Sequence, residues 1–200
     1  MELSTTYTGT ENAGPSDEVL MARVKAGDDD ALAALLRRYE QALFHYARQM
    51  LGNAADAEDI FQETFLRVHL HRRRFWGNAL FKPWVYRIAT NLCKDRLRYR
   101  QRRPEVQPGN DEDRPDVLDN LPSAISAPDD VASAKELAAR MSQALASLNV
   151  KHRAVFLMAH QEGMSYAEIA RALRIPAGTV KSRMNKAVSQ LMAVLESSKS

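Results

Sequence analysis

Residues 104–130 hold five prolines (104, 108, 115, 122 and 128) and eight acidic side chains against one basic one. Proline fixes φ and removes a backbone donor, so neither a helix interior nor a sheet accommodates that density. With so little apolar surface to bury, the stretch predicts an acidic, semi-extended linker. It cuts the 200-residue chain into two parts, each of a size for one small domain. On both sides, apolar residues recur at helical spacing, and no stretch alternates with period two. The expectation is therefore all-α: two small helical domains joined by an extended acidic linker.

Composition narrows the class. Hydrophobic residues make up 45% and charged residues 26% of the chain, which excludes collagen-like and wholly disordered classes. No apolar run approaches the roughly 18 residues of a membrane span. The start, MELSTTYTGTENAGPSDE, lacks the basic and apolar regions of a secretory signal. Cys93 is the single cysteine, so an internal disulfide and a cysteine-rich zinc site are excluded. These features predict a cytoplasmic protein without membrane insertion.

The net charge of +3 conceals segregation. Residues 1–60 carry 5 basic and 11 acidic groups, and residues 61–103 carry 12 basic and 2 acidic. Residues 104–130 return to net −7, and residues 131–200 to net +6. Two basic blocks separated by acidic ones predict two contact surfaces for a polyanion.

Along the chain, residues 1–16 are polar and aperiodic and predict a flexible tail. Helices are expected from Ser16 or Asp17 to Gly27, from Asp28 to Gly52, from Ala54 to His71, and from Pro83 to Arg103. Between the last two, Arg72 to Phe81 is expected to be irregular. After the linker, Leu137, Met141, Leu145 and Leu148 form one stripe, and Val155, Phe156 and Met158 mark a second helix. Ser165-Tyr-Ala-Glu168 is a capping box opening a third helix, and Pro176 opens a fourth.

Helix 165–173, the turn Arg174-Ile175-Pro176 and helix 177–194 make a helix-turn-helix, whose second helix suits the major groove. Val180, Met184, Ala187 and Leu191 set its inward face. The opposite face presents Thr179, Lys181, Ser182, Arg183, Asn185 and Lys186, short donors and cations suited to base edges and phosphates. Set against this is a solvated helix pair in a small bundle.

On helix 83–103, Trp84, Arg87, Asn91, Lys94 and Arg98 fall in one polar stripe. The preceding Phe75-Trp76-Gly77-Asn78-Ala79-Leu80-Phe81 is rich in aromatics. Rings and cations together serve single-stranded nucleic acid, and a small polar loop can hold a flipped base. The competing account makes Phe75, Phe81 and Trp84 ordinary core.

Asp56, Asp59, Gln62 and Glu63 share one side of helix 54–71, with Glu58 flanking. Three explanations compete for these groups: a divalent metal site, a docking face for a basic partner, and complementarity to the helix dipole. His69 and His71 point about 200° apart on a helix, which is poor geometry for one metal. No metal, no other cofactor and no small-molecule substrate is expected; a glycine-rich phosphate loop is absent from the sequence.

Three segments in order resemble bacterial sigma-70-family factors. Asp56-Ala-Glu-Asp-Ile-Phe-Gln-Glu-Thr-Phe-Leu-Arg67 resembles the helix that binds the RNA polymerase clamp. Phe81-Lys-Pro-Trp-Val-Tyr-Arg-Ile-Ala-Thr-Asn-Leu92 resembles the promoter-melting and −10-reading helix. Glu162-Gly-Met-Ser-Tyr-Ala-Glu-Ile-Ala170 with Ile175-Pro-Ala-Gly-Thr-Val-Lys-Ser-Arg183 resembles the −35-reading helix-turn-helix. The two-part size is similar to the extracytoplasmic-function (ECF) group. The resemblance implies a non-enzymatic, nucleoid-associated sigma factor whose partners are core polymerase (β′ clamp and β flap), promoter DNA and an anti-sigma factor.

It also implies roles by residue. Asp56, Glu58, Asp59, Gln62 and Glu63 would face the β′ clamp. Trp76 to Phe81 would capture a flipped −10 base, with Asn78 as polar contact. Trp84, Arg87, Asn91, Lys94 and Arg98 would hold the −10 strand. Ser182, Asn185 and Lys186 would reach −35 base edges, with Lys181 and Arg183 on phosphates and Thr179 also on −35 DNA. Residues 17–103 would form the region 2-like domain and 131–196 the region 4-like domain, with 104–130 threading toward the RNA exit channel. Leu148-Asn149 departs from the family's usual Leu-Pro, and His69 stands where an aromatic is common. The alternative from another class is a repressor or activator that binds duplex DNA without polymerase. A nuclease using Asp56, Asp59 and Glu63 is a third reading, but the sequence offers no second carboxylate cluster to complete a two-metal site.

Overall fold

The computed structural model describes residues 14–75, 79–103 and 139–197, and among these there are helices and no strands. The predicted linker 104–130, most of the tail 1–16, and Trp76, Gly77 and Asn78 lie outside the described residues.

Local chemistry explains most helix ends. α1 (Asp17–Lys25) starts where the Ser16 side chain accepts from the Val19 amide, and it is followed by Gly27 at φ 95°. α2 (Asp29–Leu51) is capped by Asp28, which accepts from Ala31 N at 3.0 Å. It ends on left-handed Gly52, whose amide returns to Arg48 O at 2.7 Å. α3 (Ala54–His71) is capped by Asn53, which accepts from Asp56 N at 2.8 Å. A single 3₁₀ turn, Arg72–Arg74, follows it.

α4 (Phe81–Arg102) begins two residues before the proline expected to open it. Pro83 still fits, because first-turn amides have no intrahelical acceptor to lose. The Phe81 amide finds its acceptor outside the helix, in Glu18 Oε1 at 3.1 Å. α1–α4 enclose an edge-to-face aromatic cluster. Tyr46 and Tyr86 stand 5.1 Å apart, Tyr39 and Phe81 5.3 Å, and Phe75 and Trp84 5.3 Å, centroid to centroid.

The second group comprises α5 (described over 139–147), α6 (Val150–His160), α7 (Tyr166–Leu173) and α8 (Ala177–Ser197). The capping box predicted for α7 forms in full. Ser165 Oγ accepts from Glu168 N at 3.3 Å, and Glu168 Oε2 accepts from Ser165 N at 2.8 Å. Val180, Met184, Ala187 and Leu191 are buried, as their spacing predicts.

The two groups pack together, α7 against α4 and α6 against α2. The Tyr86 hydroxyl donates to the Glu162 carboxylate, and Lys82 Nζ donates to Glu162 O at 2.6 Å. The buried Arg153 donates to Met50 O at 2.6 Å across the junction, and to Leu148 O at 3.2 Å within its own group. These carbonyls lie at or beyond helix C-termini, where partial negative charge accumulates and a cation is favoured.

Candidate nucleic-acid and polymerase interface

α3 divides its predicted acidic residues into two kinds. Glu58, Asp59 and Gln62 are exposed and Glu63 half-buried, all on the outer side of the α1–α4 group. Asp59 meets Arg96 Nη2 at 3.1 Å, and Glu63 meets Arg67 Nε at 2.7 Å. Asp56, by contrast, is 3% exposed, and its carboxylate is gripped by both Arg96 and Arg100. Its place is therefore an internal tie between α3 and α4, not a docking face. The same pairing opposes the nuclease reading, since Asp56, Asp59 and Glu63 already hold guanidinium groups.

The outer face carries a feature the sequence reading missed. Leu66, 51% exposed, lies beside Asp59, Gln62 and Glu63 along a shallow groove, and Leu70 is exposed one turn on. The available signal was that neither leucine belongs to the apolar stripe Ile60, Phe61, Phe65 and Val68.

On α4, Asn91 and Arg98 are exposed, while Trp84, Arg87 and Lys94 are half-buried. Phe81 has no exposed surface and packs against Tyr39, Phe75 and Trp84, so it belongs to the core. Trp84 remains accessible at the rim of this cluster. Burial lowers the pKa of Arg87, with Arg174 of the second group adding to the effect. Burial also lowers that of Lys94, with Arg183, Arg98 and Lys151 nearby. The packed arrangement thus turns the basic face of α4 toward like charges on the second group.

α8 presents Lys181, Ser182, Asn185 and Lys186 to solvent, with Thr179 and Arg183 half-buried. The helix-turn-helix geometry is present: α7 ends at Leu173 with left-handed Arg174 as its cap, and α8 starts after Pro176.

Comparison with known proteins assigns this arrangement. Residues 35–103 match Sigma-70 region 2, and residues 138–191 match Sigma-70, region 4. The chain is 34% identical over 167 residues to the ECF RNA polymerase sigma factor SigW of Bacillus subtilis (strain 168), covering 82% of this chain and 88% of SigW. The chain belongs to the ECF sigma factors.

Further ECF sigma factors agree. The ECF RNA polymerase sigma factor SigE of Mycolicibacterium smegmatis is 33% identical over 92% of this chain and 71% of its own length. The ECF RNA polymerase sigma-E factor of Escherichia coli (strain K12) is 32% identical over 86% of this chain and 90% of its own. Among solved structures, CnrH in complex with the cytosolic domain of CnrY superimposes with a TM-score of 0.69 at 24% identity, covering 92% of this chain and 99% of CnrH. RpoE of Bartonella quintana, in complex with the anti-sigma factor NepR, gives 0.62 at 22% identity, covering 84% and 96%. At those identities the likeness establishes the two-part helical fold. This sigma factor acts in RNA polymerase transcription initiation, and the alternative of a regulator independent of polymerase is set aside. Among the described residues, no helix is long and apolar enough to cross a membrane.

Proposed function

We propose that this sigma factor divides its work among three surfaces. Glu58, Asp59, Gln62 and Glu63, with Leu66 as apolar anchor, dock on the β′ clamp. Asp56 acts behind them by fixing α3 against α4. Trp84, Arg87, Asn91, Lys94 and Arg98 hold the −10 strand, and the segment of Trp76 and Asn78 receives a flipped base. Thr179, Ser182, Asn185 and Lys186 read −35 base edges, while Lys181 and Arg183 neutralise phosphates. Residues 17–103 form the first functional unit and 131–196 the second, with 104–130 as the linker. The protein forms and breaks no bonds; polymerase supplies the chemistry. Its place of action is the cytoplasm, at the nucleoid.

The observation that carries this reading is the opposite exposure of the surfaces. The acidic face of α3 stands clear, while Arg87 and Lys94 are half-buried and face the cations Arg174, Arg183 and Lys151 of the second group. Positions −10 and −35 lie about 25 base pairs apart, or about 85 Å of duplex at ~3.4 Å per pair. Two small helical groups in contact do not span that distance. Polymerase docking on the free α3 face is therefore coupled to separation of the groups, which exposes both reading surfaces. An anti-sigma partner that holds the groups together would oppose this step.

Reconstituted transcription separates the roles. Asn91→Ala with Lys94→Ala preserves core binding and weakens −10 strand capture. Asn185→Ala with Lys186→Ala preserves both and relaxes −35 selection. If either pair instead abolishes core binding in a folded protein, the assignment of surfaces is wrong.

A further inference from the structure

α1 lies ahead of residues 35–103, the stretch that matches Sigma-70 region 2, and it contributes no residue to the three proposed surfaces. Its apolar face, Leu20, Met21 and Val24, is buried and fixes the helix on the first group. Asp17 adds a tie to α2, where Arg38 and the Tyr39 hydroxyl hold its carboxylate. Glu18 and Lys25 reach further. Seven residues apart, they fall on one side of the helix, about 10 Å apart along its axis at ~1.5 Å per residue.

Each meets the backbone of a residue far along the chain. Glu18 Oε1 accepts from the Phe81 amide at 3.1 Å, and Lys25 Nζ donates to Phe75 O at 2.9 Å. Phe81 opens α4, whose first-turn amides lack intrahelical acceptors, and Leu80 at the cap position makes no side-chain cap bond. Glu18 thus does from another helix what an N-cap aspartate does locally, and its charge suits a helix N-terminus. This bond accounts for α4 beginning at Phe81 and not at Pro83. Phe75 leaves the 3₁₀ turn in extended backbone, and Lys25 holds its carbonyl there.

The two residues held from α1 flank one ring. Trp84 stands 5.3 Å from Phe75 and 6.0 Å from Phe81, centroid to centroid. Phe75 and Phe81 are 3% and 0% exposed, whereas Trp84 is half-buried and keeps an accessible face. A close-packed interior passes a backbone shift on to the rings packed against it. We propose that Glu18 and Lys25 are positioning residues for the −10 strand: through the backbone of Phe81 and Phe75 they set the orientation of the Trp84 ring on which a base stacks. Neither contacts the strand itself. The consequence for DNA rests on the −10 role proposed for Trp84; the orientation of the ring does not.

Loss of one base–ring stack weakens single-strand binding by roughly 5- to 150-fold, and a displaced ring forfeits the lower part of that range. The test combines two readouts on the full chain. Fluorine NMR of protein labelled with 5-fluorotryptophan follows the ring, and Trp84→Phe assigns its resonance by loss. Anisotropy of a labelled −10-type single strand, with the chain bound to core polymerase, follows capture. Glu18→Met with Lys25→Met removes both bonds at sites that are half-buried and exposed, so the fold is retained. Glu18→Gln with Lys25→Arg keeps an acceptor and a donor in place. The expected result is a shifted or broadened Trp84 resonance and about fivefold weaker strand binding in the methionine pair, with core affinity unchanged and both readouts restored in the conservative pair. An unmoved resonance in the methionine pair overturns the proposal, even where strand binding falls, because the loss then has another route. A moved resonance with strand binding unchanged also overturns it, provided that Trp84→Ala weakens the strand. If Trp84→Ala leaves strand binding unchanged too, the failure lies in the −10 role of Trp84, and the positioning role falls with it.

Discussion

Tyr86→Phe isolates one bond of the junction. The Tyr86 ring is buried among α1–α4, edge-to-face with Tyr46 at 5.1 Å and near Tyr39 at 6.5 Å, and phenylalanine keeps these contacts. What is lost is the hydroxyl that donates to the Glu162 carboxylate of the other group. A hydrogen bond to a charged acceptor contributes about 1.5–3 kcal/mol. Glu162 keeps some contact with water, which favours the lower end. At ~1.4 kcal/mol per factor of ten, the packed-to-separated ratio falls roughly 10- to 30-fold. Where the binding-competent form is the minor one, apparent affinity scales with its population. The free variant therefore binds a −10-type single strand about tenfold more tightly, although Tyr86 does not touch the strand. Burial raises the Glu162 pKa, against the opposing pull of the Tyr86 hydrogen bond and of Lys82. The packed form thus holds that proton more firmly than a solvated glutamate does. Its contribution to packing is complete below the ordinary value of 4.5 and is lost as pH rises through the raised one. Wild-type strand affinity should climb across that window. Fluorescence anisotropy with a labelled strand reads both effects. An affinity unchanged within twofold in Tyr86→Phe, in a protein of unaltered helicity, would refute the coupling of packing to strand access.

The other predictions concern single surfaces. Asp56→Asn leaves Arg96 and Arg100 without their shared carboxylate. Breaking a buried pair costs about 3–5 kcal/mol, and the arginine side chains here are 32% and 25% exposed, which reduces the loss to about 2 kcal/mol. Thermal unfolding of the first group should fall by roughly 10 °C, whereas Asp59→Asn, on an exposed residue, should shift it by no more than about 2 °C; equal shifts would contradict the division of roles. On α8, Lys181→Ala should weaken −35 duplex binding evenly across sequences and reduce the salt slope by about one. Asn185→Ala should instead cost about 1–3 kcal/mol on the preferred site only, as measured by competition with mismatched duplexes.

Local chemistry was legible in the sequence. Ser165 and Glu168 announced α7, Gly52 closed α2, and the 180, 184, 187, 191 spacing placed the buried face of α8. Such signals act within a few residues, where a cap or one helical face is decided. Phe81 and Asp56 were harder. Phe81 sits at an aromatic-rich boundary, and its burial is settled by Tyr39 from another helix. Asp56 shares a helix face with Asp59 and Glu63, and only Arg96 and Arg100, some forty residues on, draw it inward. The junction was illegible for the same reason at larger separation. Tyr86 and Glu162 are 76 residues apart, and Met50 and Arg153 are 103. No periodicity encodes contacts between two independently patterned groups.

The central claim is that the outward acidic face of α3 carries this sigma factor onto polymerase. The direct measurement is capture of purified bacterial core RNA polymerase by the wild-type chain and by an Asp59→Arg, Glu63→Arg double variant. Thermal unfolding of both proteins serves as the check on folding. The account predicts stoichiometric capture by wild type, and loss of at least tenfold in affinity by a variant that unfolds as wild type does. Equal capture by the two proteins, or none by wild type at low salt, would contradict it.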